Sequence, residues 1–256
     1  MLDSFPQSLV ALIQGSSRGI GLGLVERLLE QDRVGRVIAC ARDPEGSSGL
    51  ARLADAHGER LQCHPLDITK PRQIEALAKR LRDEQLRPHL VLNVAGILHD
   101  EHGLSPEKRL EDLDFEQLQR VFAVNALGPA VLVRELLPLM ARDGKAVLAA
   151  LSARVGSISD NRLGGWYAYR ASKAALNQIL KTASIEARRR FKNVVVAALH
   201  PGTTDTDLSR PFQANVPEDK LFDTAFVAQR LLSVIDQIDL EDSGGFFAWD
   251  GTAIPW

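Results

Sequence analysis

Residues 15–21 have the sequence Gly15-Ser16-Ser17-Arg18-Gly19-Ile20-Gly21. This segment follows a short apolar run, Ser8–Gln14, and leads into Gly19–Gln31, whose apolar residues have helical spacing. Glycines let the backbone turn sharply and approach a pyrophosphate, which then meets the positive end of the following helix. A plain tight strand–helix turn is the alternative. The position after the first predicted strand favours dinucleotide binding, although the spacing is Gly-x3-Gly-x-Gly.

Strand-like runs and helical patterns alternate along the rest of the chain. The further predicted strands are Gly35–Ala41, Leu61–Leu66, His89–Val94, Lys145–Ser152, Asn193–His200 and Gly244–Trp249. The predicted helices between them are Leu50–His57, Pro71–Glu84, Asp114–Ala141, Trp166–Arg190 and Phe222–Asp239. This alternation is typical of βαβ units with a parallel sheet that is buried on both faces. We therefore predict one α/β domain over residues 1–256, a Rossmann-type doubly wound parallel sheet of about seven strands with helices on both faces.

The longest stretch without a clear period, residues 201–221, follows the sixth predicted strand. In open α/β sheets the ligand crevice lies at the carboxyl ends of the strands, so we predict that this stretch is the substrate loop. Its apolar residues are compatible with a bulky ketone, aldehyde or steroid, and they do not single out a substrate. They are Leu208, Phe212, Val216 and Leu221, followed by Phe222.

Composition excludes several classes of function. The 256 residues include 31 lysines and arginines against 33 acidic residues, a balance that argues against nucleic acid as a partner. The two cysteines, Cys40 and Cys63, are expected to be free thiols in a reduced compartment. The longest purely apolar runs have six residues, far below the roughly 20 needed to span a bilayer, and the N-terminus does not resemble a signal peptide. We predict a cytoplasmic protein with no membrane partner.

The end of the second predicted strand bears on cofactor choice. An NAD site normally places an acidic residue about 20 residues beyond the last glycine. Here that position holds Ala41, followed by Arg42, and the nearest acid is Asp43. A guanidinium group matches a phosphate, and Arg18 is a second candidate for the same phosphate. The alternative is two solvated surface arginines. Their joint occurrence favours NADP(H).

Four motifs occur in one order along nearly the whole chain: Gly15-x3-Gly19-Ile20-Gly21, Asn93-Val94-Ala95-Gly96, Tyr169-x3-Lys173 and Pro201-Gly202. With them the sequence resembles the short-chain dehydrogenase/reductase family. Residues 164–173 are most similar to its carbonyl-reductase branch, which includes C-factor signalling proteins. The resemblance implies reduction of a ketone or aldehyde to an alcohol, or the reverse, and a homodimer or homotetramer. The alternatives are a nucleotide-binding signalling protein with weak or no turnover and a structural subunit without cofactor.

The resemblance also implies a set of cofactor contacts. Asp67 would contact the adenine, with Ile68 beside it, and Asn93 would line the adenosine side. Gln14 departs from the threonine that usually precedes the first glycine. The full set comprises Gly15, Ser17, Arg18, Gly19, Ile20, Gly21, Arg42, Asp67, Ile68, Asn93, Ala95, Gly96, Tyr169, Lys173, Pro201, Gly202, Thr203 and Thr206.

Helix geometry separates the two tyrosines of the chain. Tyr169 and Lys173 are four residues apart and share one helix face, whereas Tyr167 and Lys173 diverge by about 120°. We predict that Tyr169 is the acid–base residue and that Tyr167 packs. A lysine ammonium near the phenol is expected to lower the tyrosine pKa from its usual value of about 10.

This sequence departs most from the family pattern at the position of the carbonyl-binding serine. Many relatives carry two consecutive serines at the end of the fifth strand. The residues at the corresponding positions here are Ser152 and Ala153, so the second serine is replaced by alanine. Either Ser152 supplies the hydroxyl through a one-residue shift, or Ser157 reaches in, or the position is vacant; we predict Ser152. Asn125 matches the family's structural and proton-relay asparagine. The pair His99-x2-His102 is interpreted as a solvated loop, so no metal site is predicted.

Overall fold

The computed structural model describes the backbone of residues 1–256 and every side chain except that of Asn215. The strands are β1 (Leu9–Gln14), β2 (Val34–Ala41), β3 (Leu61–Pro65), β4 (Leu90–Asn93), β5 (Ala146–Leu151), β6 (Val194–His200), β7 (Thr203–Thr204), β8 (Leu221–Phe222) and β9 (Phe246–Ala248). The main helices are α1 (Gly19–Leu29), α2 (Ser48–His57), α3 (Pro71–Asp83), α4 (Phe115–Leu139), α5 (Tyr167–Arg190) and α6 (Thr224–Gln237).

Seven of these strands form one parallel sheet in the order β3-β2-β1-β4-β5-β6-β9. The predicted α/β class and doubly wound sheet are therefore confirmed. The order reverses between β1 and β4, and a crevice at the carboxyl ends of the strands is expected at such a switch point. The glycine-rich segment, residues 15–21, lies there.

The two faces of the sheet bury two separate apolar cores. Side chains alternate along each strand, so Ile13 belongs to the core beneath α1 and α6, while Leu12 belongs to the core beneath α3, α4 and α5. Leu231 of α6 and Leu176 of α5 are fully buried in these two cores. Burial of each such side chain contributes about 1.5–3 kcal/mol to folding. Packing on both faces explains why the strands have continuous apolar runs.

The helix predicted at Asp114–Ala141 spans Phe115–Leu139 in the structure and contains a π-helical turn at Ala123–Leu127. The Asp114 carboxylate caps it by accepting the Gln117 N–H at 2.9 Å. By length and composition alone α4 could cross a bilayer, with a mean hydropathy of 1.4 over its most apolar window. Core helices of soluble proteins pass the same test, and α4 packs against α3 and α5.

Residues 201–221 are more ordered than the sequence predicts. β7 pairs with β8 in a small parallel sheet of its own, and 3-10 turns at Arg210–Asn215 and Glu218–Lys220 lie between the two strands. Strands of two residues carry no detectable period, which is why these strands escape prediction. We call residues 201–222, which are the predicted substrate loop 201–221 extended to the end of β8, the substrate loop below.

The two thiols lie on neighbouring strands but on opposite faces of the sheet. The register pairs Ala39 with Cys63 and Cys40 with His64, so the two cysteine side chains point in opposite directions. Both thiols are free, and burial raises the pKa of each.

Candidate active site

The turn between β1 and α1 requires its glycines. A Cβ atom on Gly15, whose φ is +88°, would lie 2.7 Å from the Ala95 nitrogen, and one on Gly21 would lie 1.9 Å from the Gly15 oxygen. The Cys40 carbonyl accepts the N–H groups of Gly15 and Ser16 at 2.8 and 3.1 Å and the Ser16 hydroxyl at 3.0 Å. The turn is thus anchored to the end of β2, with the start of α1 facing the crevice. This geometry suits a pyrophosphate.

Two arginines and one acid lie where cofactor choice is expected to be decided. The Asp43 carboxylate accepts the Gly46 N–H at 2.9 Å, so it closes its own turn instead of extending toward a ribose. Arg42 is exposed at the end of β2. Arg18 is also exposed, and its guanidinium lies 3.4 Å from the Asp207 carboxylate of the substrate loop. Two exposed guanidinium groups therefore lie at this edge of the sheet, and one of them is paired with an acid.

Two side-chain amides at the carboxyl ends of β1 and β4 have buried polar atoms without hydrogen-bond partners among the described residues. The side-chain amide of Asn93 is buried and, among the residues that the structure describes, neither its nitrogen nor its oxygen has a hydrogen-bond partner. The Gln14 side-chain oxygen, on the adjacent position of β1, is likewise buried and unpartnered within the described part of the chain. A buried polar group without a partner costs about 1–3 kcal/mol. These amides fit a polar ligand in the crevice, and with the glycine turn they fit a dinucleotide.

The other predicted cofactor contacts surround this crevice. Asp67 follows β3, and one of its carboxylate oxygens accepts both the N–H and the hydroxyl of Thr69. In the substrate loop, the Thr206 methyl carbon would lie 3.3 Å from a Cβ on Gly19, so the loop packs on the glycine turn. Gly202 has a φ of +76°, and a Cβ there would lie 2.9 Å from the rings of Phe222 and Trp249.

The remaining members of the set occupy the same edge of the sheet. Ser17 accepts the Ser47 hydroxyl through its carbonyl, and Ile20 and Gly21 begin α1. Ile68 follows Asp67, Ala95 and Gly96 follow β4, and Pro201 and Thr203 follow β6.

Tyr169 and Lys173 occupy the first two turns of α5 and are both buried. The Lys173 ammonium donates to the Leu151 carbonyl at 2.8 Å and lies 5.7 Å from the centroid of the Tyr169 ring. A Cβ on Gly96 would lie 3.5 Å from both the Lys173 Nζ and the Asn125 Oδ1. The structure therefore brings together residues of two of the four motifs, with Asn125 beside them. Tyr167 lies outside this group, as the helical-face argument predicts, but 37% of its surface is exposed, so the prediction that it packs is wrong.

Burial sets the pKa values of Tyr169 and Lys173. It lowers the pKa of Lys173 to about 8 and raises the pKa of Tyr169. The expectation that the lysine lowers the tyrosine pKa is therefore not met here, because the lysine hydrogen bond goes to the Leu151 carbonyl and the phenol is removed from water. The phenol is protonated at neutral pH, which suits a proton donor.

The buried lysine makes stability depend on pH. Its folded pKa of about 8 lies below the ordinary value of 10.5, so between these values the unfolded chain binds more protons and stability rises with pH. We expect the free energy of unfolding of the wild type, relative to that of Lys173→Met, to increase from pH 8 to about pH 10. Urea titrations of the cofactor-free proteins measure this difference. Lys181→Met, at an exposed position of the same helix, is the control. A difference between wild type and Lys173→Met that does not change with pH would contradict the lowered pKa of Lys173.

Ser152 is buried, and its hydroxyl donates to the Asn177 Oδ1 at 2.6 Å. A serine hydroxyl has one proton, and here it is directed at α5 instead of the crevice. The geometry therefore does not support the prediction that Ser152 donates to a substrate carbonyl. Ser157 is buried too, and its oxygen accepts the Asp160 N–H at 3.2 Å. Ala153 holds the position of the second serine of the family pattern.

Asn125 lies in the π-helical turn of α4 and is fully buried. Its Oδ1 accepts the Ile97 N–H at 2.8 Å, and its Nδ2 donates to the Ile97 carbonyl at 2.9 Å and to the Ser172 hydroxyl at 3.1 Å. The amide therefore joins the segment after β4 to α4 and α5. Three of its four side-chain hydrogen bonds are made to protein groups, and the proton-relay role of Asn125 stays a prediction.

Sequence reasoning missed Glu107, a buried acid in the segment between β4 and α4. Its carboxylate accepts the Ala168 N–H at 3.1 Å at the start of α5, where an anion stabilises the helix end. The surrounding residues 97–114 have no period and many charges, so nothing in the sequence marks this carboxylate as buried. It fixes the helix turn that carries Tyr169.

His99, which follows β4, contacts the substrate loop. Its Nε2 lies 3.1 Å from the Asp207 carbonyl and 3.2 Å from the Leu208 carbonyl. Within the described part of the chain, no group of three or more His, Cys, Asp and Glu side chains could hold a metal ion.

The chain is similar to known dehydrogenases and reductases over most of its length. A family model described as short chain dehydrogenase matches residues 9–217. The chain is 32% identical, over 96% of its length and 98% of the relative, to 1-hydroxy-2-glutathionyl-2-methyl-3-butene dehydrogenase of Rhodococcus sp. strain AD45. It is 36% identical to the C-signal protein of Myxococcus xanthus over 57% of this chain and 83% of that one. The structure of NADPH-bound carbonyl reductase from chicken fatty liver superposes with a TM-score of 0.86 at 28% identity, over 99% and 97% of the two chains.

Proposed function

The chain belongs to the short-chain dehydrogenase family, and from this premise we propose that it is an NADP(H)-dependent oxidoreductase that reduces a ketone or aldehyde carbonyl to an alcohol, or catalyses the reverse reaction. The observation that carries the proposal is the buried pair Tyr169 and Lys173. Gly96, which follows β4, lies beside the lysine, and Trp166 links the tyrosine to Phe212 of the substrate loop. An acid–base residue beside a dinucleotide crevice is what carbonyl reduction requires.

The residues of the crevice would hold the cofactor as follows. The glycine turn and the N-terminus of α1 bind the pyrophosphate, Asp67 and Asn93 bind the adenosine side, and Arg18 and Arg42 bind the 2′-phosphate. NADPH, when bound, supplies the hydride. The NADPH-bound chicken carbonyl reductase supports this choice of cofactor.

Tyr169 supplies the proton in this proposal. Its phenol donates to the carbonyl oxygen as negative charge develops there. The phenol is protonated at neutral pH because its ordinary pKa is about 10, and burial raises that pKa further. Lys173 is the cation beside the ring and binds the ribose. Asn125 hydrogen-bonds to Ile97 after β4 and to Ser172 of α5. It thereby holds the segment after β4 beside Lys173.

In this proposal Ser152 has a structural role, because its hydroxyl binds Asn177 of α5. The position of the carbonyl-binding serine is occupied by Ala153, which has no hydroxyl. We expect Ser152→Ala to leave the Asn177 oxygen without its donor and to cost about 1–3 kcal/mol of stability, with kcat reduced less than about threefold. We expect Ala153→Ser to raise kcat severalfold, since it adds a donor for the developing oxyanion. Steady-state kinetics and urea titrations measure both effects. A loss of about 10²-fold in kcat for Ser152→Ala would restore Ser152 as the carbonyl donor.

The second candidate function is a nucleotide-binding signalling protein with weak or no turnover. The vacancy at Ala153 favours it, and so does the similarity to the C-signal protein. A structural subunit without cofactor is the third. Titration with NADPH separates the third from the other two, because it alone predicts no binding.

The proposed partners are a small carbonyl or alcohol substrate and further copies of this chain. Leu127 of α4 and Ile185 of α5 are apolar and at least half exposed, as expected for a homodimer or homotetramer formed by these helices. Size-exclusion chromatography with light scattering tests the assembly. A cytoplasmic location without nucleic-acid or membrane partners remains a prediction from composition and charge.

A further inference from the structure

Three consecutive residues before α5 have left-handed backbones. Gly164, Gly165 and Trp166 have φ values of +65°, +64° and +53°. Glycine adopts this conformation freely, but tryptophan does so only at a cost in free energy. A non-glycine residue in this region persists only where the surrounding structure holds it, and such residues cluster at functional sites.

Hydrogen bonds hold this strained turn in place. The Trp166 N–H donates to the Glu107 carbonyl at 2.5 Å. The Arg170 guanidinium donates to the Gly164 carbonyl at 3.0 Å and to the Gly165 carbonyl at 2.9 Å. The turn is therefore fixed from both sides, by the segment after β4 and by the first turns of α5.

The position of the Trp166 ring shows what this fixation achieves. The indole lies edge-on to Tyr169, with ring centroids 6.2 Å apart, and it packs against Phe212 of the substrate loop at 4.9 Å. Phe212 in turn meets the His99 ring at 5.7 Å. Trp166 is only partly buried, so part of its surface remains accessible. Trp166, Phe212 and His99 thus form a row of rings in contact with one another, which begins at Tyr169. We call these three residues the aromatic wall.

We propose that Trp166, together with Phe212, is a specificity-determining residue that favours carbonyl substrates with a planar aromatic substituent next to the carbonyl. The inference rests on the proposed carbonyl reduction, because it places the substrate carbonyl at Tyr169. A substituent on that carbonyl then extends along the aromatic wall. Aromatic rings pack edge-to-face or offset on one another more favourably than saturated rings do, so the wall distinguishes an aryl group from a saturated ring of the same size.

The test compares two ketones of matched shape, acetophenone and cyclohexyl methyl ketone, at saturating NADPH. Trp166→Gly removes the ring and accepts the left-handed backbone without strain. We expect it to lower kcat/KM for acetophenone by about five- to tenfold and kcat/KM for cyclohexyl methyl ketone by less than about twofold. Trp166→Phe retains an aromatic ring and keeps most of the preference. Tyr167→Ala, at an exposed position two residues before Tyr169, is the matched control.

The possible outcomes separate this inference from the proposed function. If the wild type consumes NADPH with neither ketone nor any other carbonyl, the proposed function fails. If the wild type reduces both ketones and Trp166→Gly lowers both values equally, Trp166 is structural and the specificity role is overturned. Should Trp166→Gly fail to fold, Phe212→Leu decides: loss of the aryl preference supports the proposal, and an unchanged ratio of the two kcat/KM values overturns it.

Discussion

Replacing Tyr169 by phenylalanine is expected to lower kcat for carbonyl reduction by about 10²–10⁴-fold. The ring remains in its buried position beside Lys173, so only the hydroxyl and its proton are lost. The affinity for NADPH should stay within about twofold of the wild type, since the glycine turn and the arginines are untouched. Single-turnover kinetics and a fluorescence titration with NADPH measure the two quantities separately.

The control for this experiment is Tyr167→Phe. Tyr167 is the other tyrosine of the chain, stands two residues earlier on the same helix and is 37% exposed. It should retain most of the wild-type kcat. If Tyr167→Phe lost activity while Tyr169→Phe kept it, the assignment of the proton donor would be wrong.

Arg42→Ala is expected to raise the Kd for NADPH by about 10- to 100-fold and to leave the Kd for NADH nearly unchanged. The 2′-phosphate is present only in NADPH, and a hydrogen bond to a charged group contributes about 1.5–3 kcal/mol. Asp43 does not compete for the ribose, because its carboxylate closes the turn to Gly46. Arg18→Ala should act in the same direction with a smaller effect, since Arg18 also pairs with Asp207.

Titrations of both cofactors with wild type and variants measure these effects. Arg52→Ala is the control, because Arg52 is an exposed arginine of α2 that pairs with Glu26. A wild type that binds NADH at least as tightly as NADPH would contradict the assignment of NADP(H).

The fold could be predicted because its strands are buried on both faces. β5 is apolar along its whole length, and the helices that flank such strands keep a clear helical period, so elements were located to within about two residues. The choice of Tyr169 over Tyr167 was predictable for the same reason, since it depends only on the geometry of one helix.

Features that depend on distant contacts could not be predicted. The direction of the Ser152 hydroxyl is set by Asn177, which lies 25 residues later. The strained backbone of Trp166 depends on the Glu107 carbonyl, and the burial of Glu107 depends on the start of α5. The pKa of Tyr169 depends on how completely the packed protein excludes water from the phenol. Local sequence periods contain none of this information.

The central claim, that this chain uses NADP(H) to reduce a carbonyl group, is tested most directly by following NADPH consumption and alcohol formation together with a panel of ketones and aldehydes. The account predicts that at least one carbonyl is reduced, with one NADPH consumed per alcohol formed, and that Tyr169→Phe abolishes this turnover while still binding NADPH. Tight binding of NADPH without consumption by any member of the panel would contradict the account and would favour the signalling function.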